Sequence, residues 1–357
     1  MPRTLLLLLA LAGPALADLS AGVARVEFTP SGRVPLAGYG SRFGKLSTGV
    51  HDPVHARALA LEADGRRFVL AVVDLVGITR EVREDVVARL PDLRPDEVLI
   101  AATHDHSGPG GFGRHPLATV TCGFYSDERR EAVVAAVVEA IRRAREALAP
   151  ARLGTGTVDL TGFSRNRRVS GGPVDPEGGL VRVERVDGSL LAVWVHFTAH
   201  PTLLSGDNLE VSAEWPGALC FALEEAHPGA TALFTNGAEG DQSPAGVRGD
   251  GDFARVADYG RRLAEAVEGP LSALRTSGDL AIRTRLDEVD LPLSAFGDFV
   301  PRRSWLHRVE LGDTVWYGIP GEPVVEIGLE LKAAALAAGH RAGFVIGLAN
   351  DHLGYFT

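Results

Sequence analysis

Val98-Leu-Ile-Ala-Ala-Thr-His-Asp-His-Ser-Gly-Pro-Gly-Gly111 decides how this chain is read: a short apolar run turns abruptly into paired histidines and then into a glycine-rich bend. Apolar runs of this length, bounded by turn residues, are the pattern of a buried strand, here residues 97–102. The strand delivers His104 and His106 to its end. Side chains two apart on an extended segment share a side, so both imidazoles are expected to face one way and Asp105 the other. The glycines that follow let backbone pass close to whatever the histidines hold.

A second apolar run, residues 190–197, leads into Ala199-His200-Pro201-Thr202 and brings a third histidine to a strand end. Three imidazoles with few carboxylates suit a zinc ion that keeps a position open for water, with manganese or iron as alternatives. Glu322 in Ile319-Pro-Gly-Glu-Pro323 and Tyr355 are the candidate oxygen ligands. His196 sits inside an apolar strand and reads as a core residue. His51, in Gly49-Val-His-Asp-Pro53, is expected behind the ligands, orienting them. The segment Phe234-Thr-Asn-Gly-Ala-Glu-Gly-Asp-Gln-Ser-Pro244 ends another strand with a glycine-rich turn. Its N–H groups and Ser243 suit an oxyanion, although a serine here is also an ordinary turn-former.

Working outward, strands are expected at residues 23–28, 56–61, 68–73, 151–160, 180–186, 231–235, 280–291, 306–311, 314–319 and 343–348. Helices are expected at 80–89, 127–148 (capped by Ser126 or Asp127), 215–226, 253–267 and 324–338. This interleaving predicts an α/β fold, mixed β-sheets flanked by helices in a single large catalytic domain over residues 18–357. No internal repeat interrupts it, and no G-x-S-x-G elbow supports a Ser-His-Asp hydrolase.

The chain has 357 residues, 45% hydrophobic and 23% charged, with a formal net charge of −10. That acidity, without any Lys/Arg run, argues against nucleic acid as a partner. Arg3, the apolar residues 5–12 and Ala15-Leu16-Ala17 read as a signal peptide over residues 1–17, from which a secreted or periplasmic protein cleaved near Ala17 is expected. Cys122 and Cys220 permit at most one disulfide and are as readily two buried thiols.

Seven separated blocks, in order, resemble the neutral, non-lysosomal ceramidases: Val34-Pro-Leu-Ala-Gly-Tyr-Gly-Ser41, Gly49-Val-His-Asp-Pro-Val-His-Ala-Arg57, Thr103-His-Asp-His-Ser-Gly-Pro109, His196-Phe-Thr-Ala-His-Pro201, Gly240-Asp-Gln-Ser-Pro244, Pro320-Gly-Glu322 and Asn350-Asp-His-Leu-Gly-Tyr355. The resemblance implies a single zinc ion held by His104, His106, His200, Glu322 and Tyr355, the second imidazole of the H-x-H pair either binding the metal or touching its water. It implies that Ser243 acts at the scissile amide of a ceramide-like lipid, with peripheral contact to a membrane. The Arg165-Asn166-Arg167 stretch and Asp241 are similar to a substrate-proximal region of that family, and a solvated basic loop is the alternative for the arginines. Two departures stand out: longer members carry a further C-terminal β-sandwich beyond the point where this sequence stops, and the position three before Tyr355, often Tyr, is His352. Hydrolysis of other small amides or esters, or metal binding without turnover, are the competing functions.

Overall fold

The apolar runs pair into two sheets, seen over residues 19–116, 118–291 and 303–357 of the computed structural model; the signal peptide expected at residues 1–17 lies outside the described residues. Across the larger sheet the strands run Thr231–Asn236, Leu190–Phe197, Glu177–Arg185, Ala149–Asp159, Leu19–Glu27, His55–Ala63, Arg66–Val73 and Val98–Ala102. The inner pairs are antiparallel and the outermost pair at each edge is parallel. Strands covered on both faces carry continuous apolar sequence rather than alternation, as the buried Val98–Ala102 segment does.

Helices cover one face. Val133, Val134, Val137 and Ile141 of the Asp127–Glu146 helix pack on Ala56, Ala58, Ala71 and Ile100. Ser126 caps this helix by accepting from the Arg129 N–H, and Asp127 and Glu128 in its first turn, with Arg143 and Arg145 in its last, complement the helix dipole. Helices Glu214–Ala226 and Asp252–Ala273 pack against Val193, Val195 and Phe234. The opposite face receives a second sheet, ordered Ile282–Asp290, Arg303–Leu311, Thr314–Gly318 and Ala342–Ile346. Between the sheets Trp194 meets Trp316 at 4.1 Å and Trp316 stacks on Phe344 at 4.3 Å between ring centroids. The mixed-sheet α/β architecture read from the sequence is the one observed.

The helix expected to end at residue 267 continues to Ala273 through Pro270, because Leu271 is buried and its carbonyl accepts from Arg182. Two short ribbons, Ser164–Asn166 against Gln242–Pro244 and Glu322–Pro323 against Tyr355–Phe356, are too brief to show a period in sequence. Cys122 and Cys220 are buried free thiols in separate core clusters. No helix among the described residues is long and apolar enough to cross a membrane.

Strand ends from both sheets converge. Asn236 closes the Thr231–Asn236 edge strand, and its Nδ2 donates to Ala199 O at 2.9 Å and Thr103 O at 3.4 Å. Asn350 Oδ1 accepts from the Ile100 N–H at 3.0 Å. The His104 and His200 loops are thereby drawn together although their strands lie far apart in the sheet order.

Three histidines are embedded in this framework as neutral bases. Burial, with the Lys332 charge a lesser cause, pushes His196 down to about 3; burial pushes His55 to about 3 and His307 to about 4. In the unfolded chain each titrates near 6.5, so the unfolded state binds more protons between that value and the depressed one. Stability is therefore complete above pH 6.5 and falls as the pH is lowered, by about 3 kcal/mol from His196 alone at pH 4. Urea midpoints of the metal-stripped protein are expected to drop steeply from pH 7 to 4; a flat profile contradicts the buried-neutral assignment.

Candidate metal centre

The histidine segment is kinked rather than extended. His104 has φ of 69°, in the left-handed region, which corrects the expectation that strand alternation aligns the imidazoles. The kink is held by Thr103 N–H donating to Val73 O and Asp105 N–H to Leu75 O. Asp105 turns back to accept the Ser107 N–H at 2.7 Å. On the far side His200 is fixed by its N–H to Gln242 O and by Trp215 Nε1 donating to its carbonyl at 3.2 Å.

His104 Nδ1 donates to Val76 O and His200 Nδ1 to Glu239 O, both at 2.7 Å. Each leaves its Nε2 lone pair directed inward. His104 Nε2 lies 3.0 Å from His200 Nε2 and 3.2 Å from His106 Nε2. Burial and the neighbouring imidazole push His200 down to about 4, and burial with His104 and His200 holds His106 well below the usual range, so these two are neutral at pH 7. His106 reaches this point because residue 38 is glycine: a Cβ there would stand 2.4 Å from His106 Nδ1. Tyr39 packs on its ring, and buried Arg42 donates to its carbonyl.

Glu322 closes the cluster, with Oε2 at 3.3 Å from His104 Nε2 and 3.2 Å from His200 Nε2. Burial alone would raise its pKa, yet His104, His200 and His352 hold it well below the carboxylate range. Crowded lone pairs beside a buried carboxylate, all within 4.8 Å in the His104, His106 and His200 group, form a donor set that fits a divalent cation of the zinc type.

The ribbon register brings Tyr355 opposite Glu322. Its hydroxyl accepts from Arg167 Nη2 at 3.0 Å; burial and the Glu322 charge raise its pKa to about 12. His352 Nε2 meets the other carboxylate oxygen, Oε1, at 3.1 Å. Of the two candidates in the tyrosine block, His352 contacts Glu322 directly and Tyr355 stands opposite it in the ribbon. Arg167 also approaches His200 Nε2 at 2.9 Å and Gly240 O at 3.0 Å. Because a guanidinium only donates, this contact agrees with a lone pair on His200 Nε2.

The remaining expected residues separate. Ser243 is half-buried, paired across the ribbon with exposed Arg165, and one residue from Gln242, whose carbonyl holds the His200 N–H. Asn166 and Asp241, expected to bind substrate, are instead buried in the scaffold. Asn166 Nδ2 donates to Asp241 Oδ2 at 2.6 Å and its Oδ1 accepts from the Arg168 and Val169 N–H groups, while Asp241 Oδ1 takes Gln242 Nε2 and the Val325 N–H. Each polar atom of the pair is used in holding the Arg167 and Ser243 loops. His51, expected behind the ligands, stacks on Phe253 at 3.7 Å and pairs with Asp52 at 2.8 Å, so that placement is corrected. His196 lies in the core against Thr235, Trp316 and Phe344, as its apolar strand implies.

Sequence reading passed over Glu239. It is fully buried and shares with His104 and Glu322 a second group of ligand atoms within 4.8 Å of one another. Burial and the Glu322 charge raise its pKa well above the usual range. The signal was present as a lone carboxylate inside the glycine-rich turn that carries Ser243.

The profile of the family described as neutral/alkaline non-lysosomal ceramidase, N-terminal, matches residues 20–252. A neutral ceramidase of Pseudomonas aeruginosa is 29% identical over 90% of this chain and 53% of its own length. One from Mycobacterium tuberculosis is 30% identical over 58% of this chain and 37% of its own. The chain thus spans about half the length of the first of these relatives. The crystal structure of the Pseudomonas aeruginosa neutral ceramidase superposes with a TM-score of 0.84 at 23% identity, covering 95% of this chain and 69% of that one. A ceramidase complexed with C2 gives 0.83, also at 23% identity, over 95% and 70%.

Proposed function

Because the chain belongs to the neutral/alkaline non-lysosomal ceramidase family, we propose that it is a zinc-dependent amidohydrolase that cleaves the N-acyl amide of ceramide, or of a related N-acyl lipid, to fatty acid and amine. The observation that carries this reading is the convergence of His104, His106 and His200 Nε2 with the Glu322 carboxylate at 3.0–3.3 Å. One zinc ion per chain is assigned to His104, His200 and Glu322, with His106 at the same point and Tyr355 at the open edge. Bound there, zinc supplies Lewis acidity toward an acyl oxygen and brings the pKa of a water to about 7.

The chain's own groups do the rest. Val76 O and Glu239 O fix the tautomers of His104 and His200, and His352 orients Glu322 through Oε1. Arg167 presents a fixed positive charge beside His200 and Tyr355, suited to a polar head group. Ser243, one residue from the Gln242 carbonyl that accepts the His200 N–H, is assigned to the tetrahedral oxyanion; direct attack by its hydroxyl is the alternative. With His51 on the surface, His106, neutral at pH 7, is the imidazole left to take the proton released by the attacking water and pass it to the departing amine. A lipid substrate brings the protein to a membrane or micelle surface, and exposed Phe43 and Phe124, the latter against Gly44, offer apolar contact.

The leader composition of residues 1–17 supports export, checked by an N-terminus near Asp18 on protein collected outside the cell. The function is tested by incubating purified protein with a fluorescent N-acylsphingosine in detergent micelles. Equimolar fatty acid and amine are expected. Turnover confined to short esters or other amides transfers the same chemistry to another substrate, and no turnover of any acyl compound contradicts it.

A further inference from the structure

We propose that Glu239 is itself a metal ligand in this chain, giving the centre two carboxylates; the inference rests on reading His104, His200 and Glu322 as ligands. Glu239 is 0% exposed, and neither carboxyl oxygen has a hydrogen-bond partner in the protein. Buried polar atoms are nearly always paired, and a buried carboxylate without a partner is among the costliest exceptions. Both oxygens are orphaned while the residue's own carbonyl is engaged by His200 Nδ1 at 2.7 Å, so the backbone is pinned and the side chain is committed to the cluster. Its ligand atom lies within 4.8 Å of those of His104 and Glu322.

The surroundings preserve this placement. Residue 347 is glycine, and a Cβ there would stand 2.6 Å from Glu239 Oε2, so any larger residue would push the carboxylate away. Arg167 contributes a favourable charge but spends its contacts on His200, Gly240 and Tyr355. A dication shared by Glu239 and Glu322 satisfies the orphaned oxygens and relieves the repulsion between the two carboxylates. A second carboxylate also hardens the donor set and favours manganese relative to an imidazole-dominated site.

The test is metal binding, separate from turnover. Metal-stripped wild type, Glu239→Gln and His104→Ala are titrated with Zn2+ and with Mn2+ against a chromophoric chelator. Glu239→Gln is expected to weaken Zn2+ binding at least tenfold and Mn2+ binding by a larger factor. Unchanged affinity for both ions in Glu239→Gln, with binding lost in His104→Ala, overturns the role of Glu239 and leaves the proposed function standing. A wild type that binds neither ion overturns both. Should the variant fail to fold, anomalous diffraction from zinc-loaded wild-type crystals decides: zinc at about 2.0–2.2 Å from a Glu239 oxygen supports the ligand role, and a zinc shell that excludes Glu239 refutes it.

Discussion

His104→Ala is expected to lower kcat/KM for an N-acylsphingosine at least a thousandfold, equivalent to about 4 kcal/mol of transition-state stabilisation. His104 is the hub of the cluster, with His200, His106 and Glu322 at 3.0, 3.2 and 3.3 Å from its one Nε2. Removing it takes a ligand from the centre and leaves Glu322 buried beside fewer counter-groups, so metal and activity should disappear together. The left-handed backbone at this position makes a structural control necessary. Asparagine tolerates that conformation, so His104→Asn, with an unchanged circular dichroism melt in the metal-stripped state, separates ligand loss from strain. Full activity in either variant would contradict the metal assignment.

Ser243→Ala carries the second large effect. As an oxyanion donor Ser243 should contribute about 10²–10³ in kcat, with KM and metal content nearly unchanged. As the attacking nucleophile its loss should approach 10⁶. Its place supports an effect on the chemical step: the Gln242–Pro244 strand is tied to His200 through Gln242 O and to the Arg165 loop through ribbon pairing. Steady-state kinetics with parallel metal analysis distinguish the two roles, and undiminished kcat removes Ser243 from the reaction.

The parts of the fold legible in sequence are those with a period. The Asp127–Glu146 helix announces itself through Ser126 and its valine face, and the buried strands through unbroken Val, Leu and Ala. The histidines are equally readable because each follows such a strand. The kink at His104 is not, since left-handed backbone at a histidine has no compositional mark. Asn166 and Asp241 share loops with Arg167 and Ser243, and only the folded arrangement reveals that their polar atoms are used up within the scaffold. The two short ribbons that hold Ser243 and Tyr355 depend on long-range pairing between Asn166 and Gln242 and between Glu322 and Tyr355, which no local pattern encodes. Glu239 escapes for a related reason: a carboxylate in a glycine-rich turn reads as solvated until its burial is seen.

The measurement closest to the central claim is a metal titration of activity. Purified protein is stripped with a chelator, assayed for fatty-acid release from N-acylsphingosine, and then supplied with zinc in increments. Activity should vanish on stripping and return in full at one zinc ion per chain, whereas metal-free protein that hydrolyses the amide at the original rate would contradict a metal centre built from His104, His200 and Glu322.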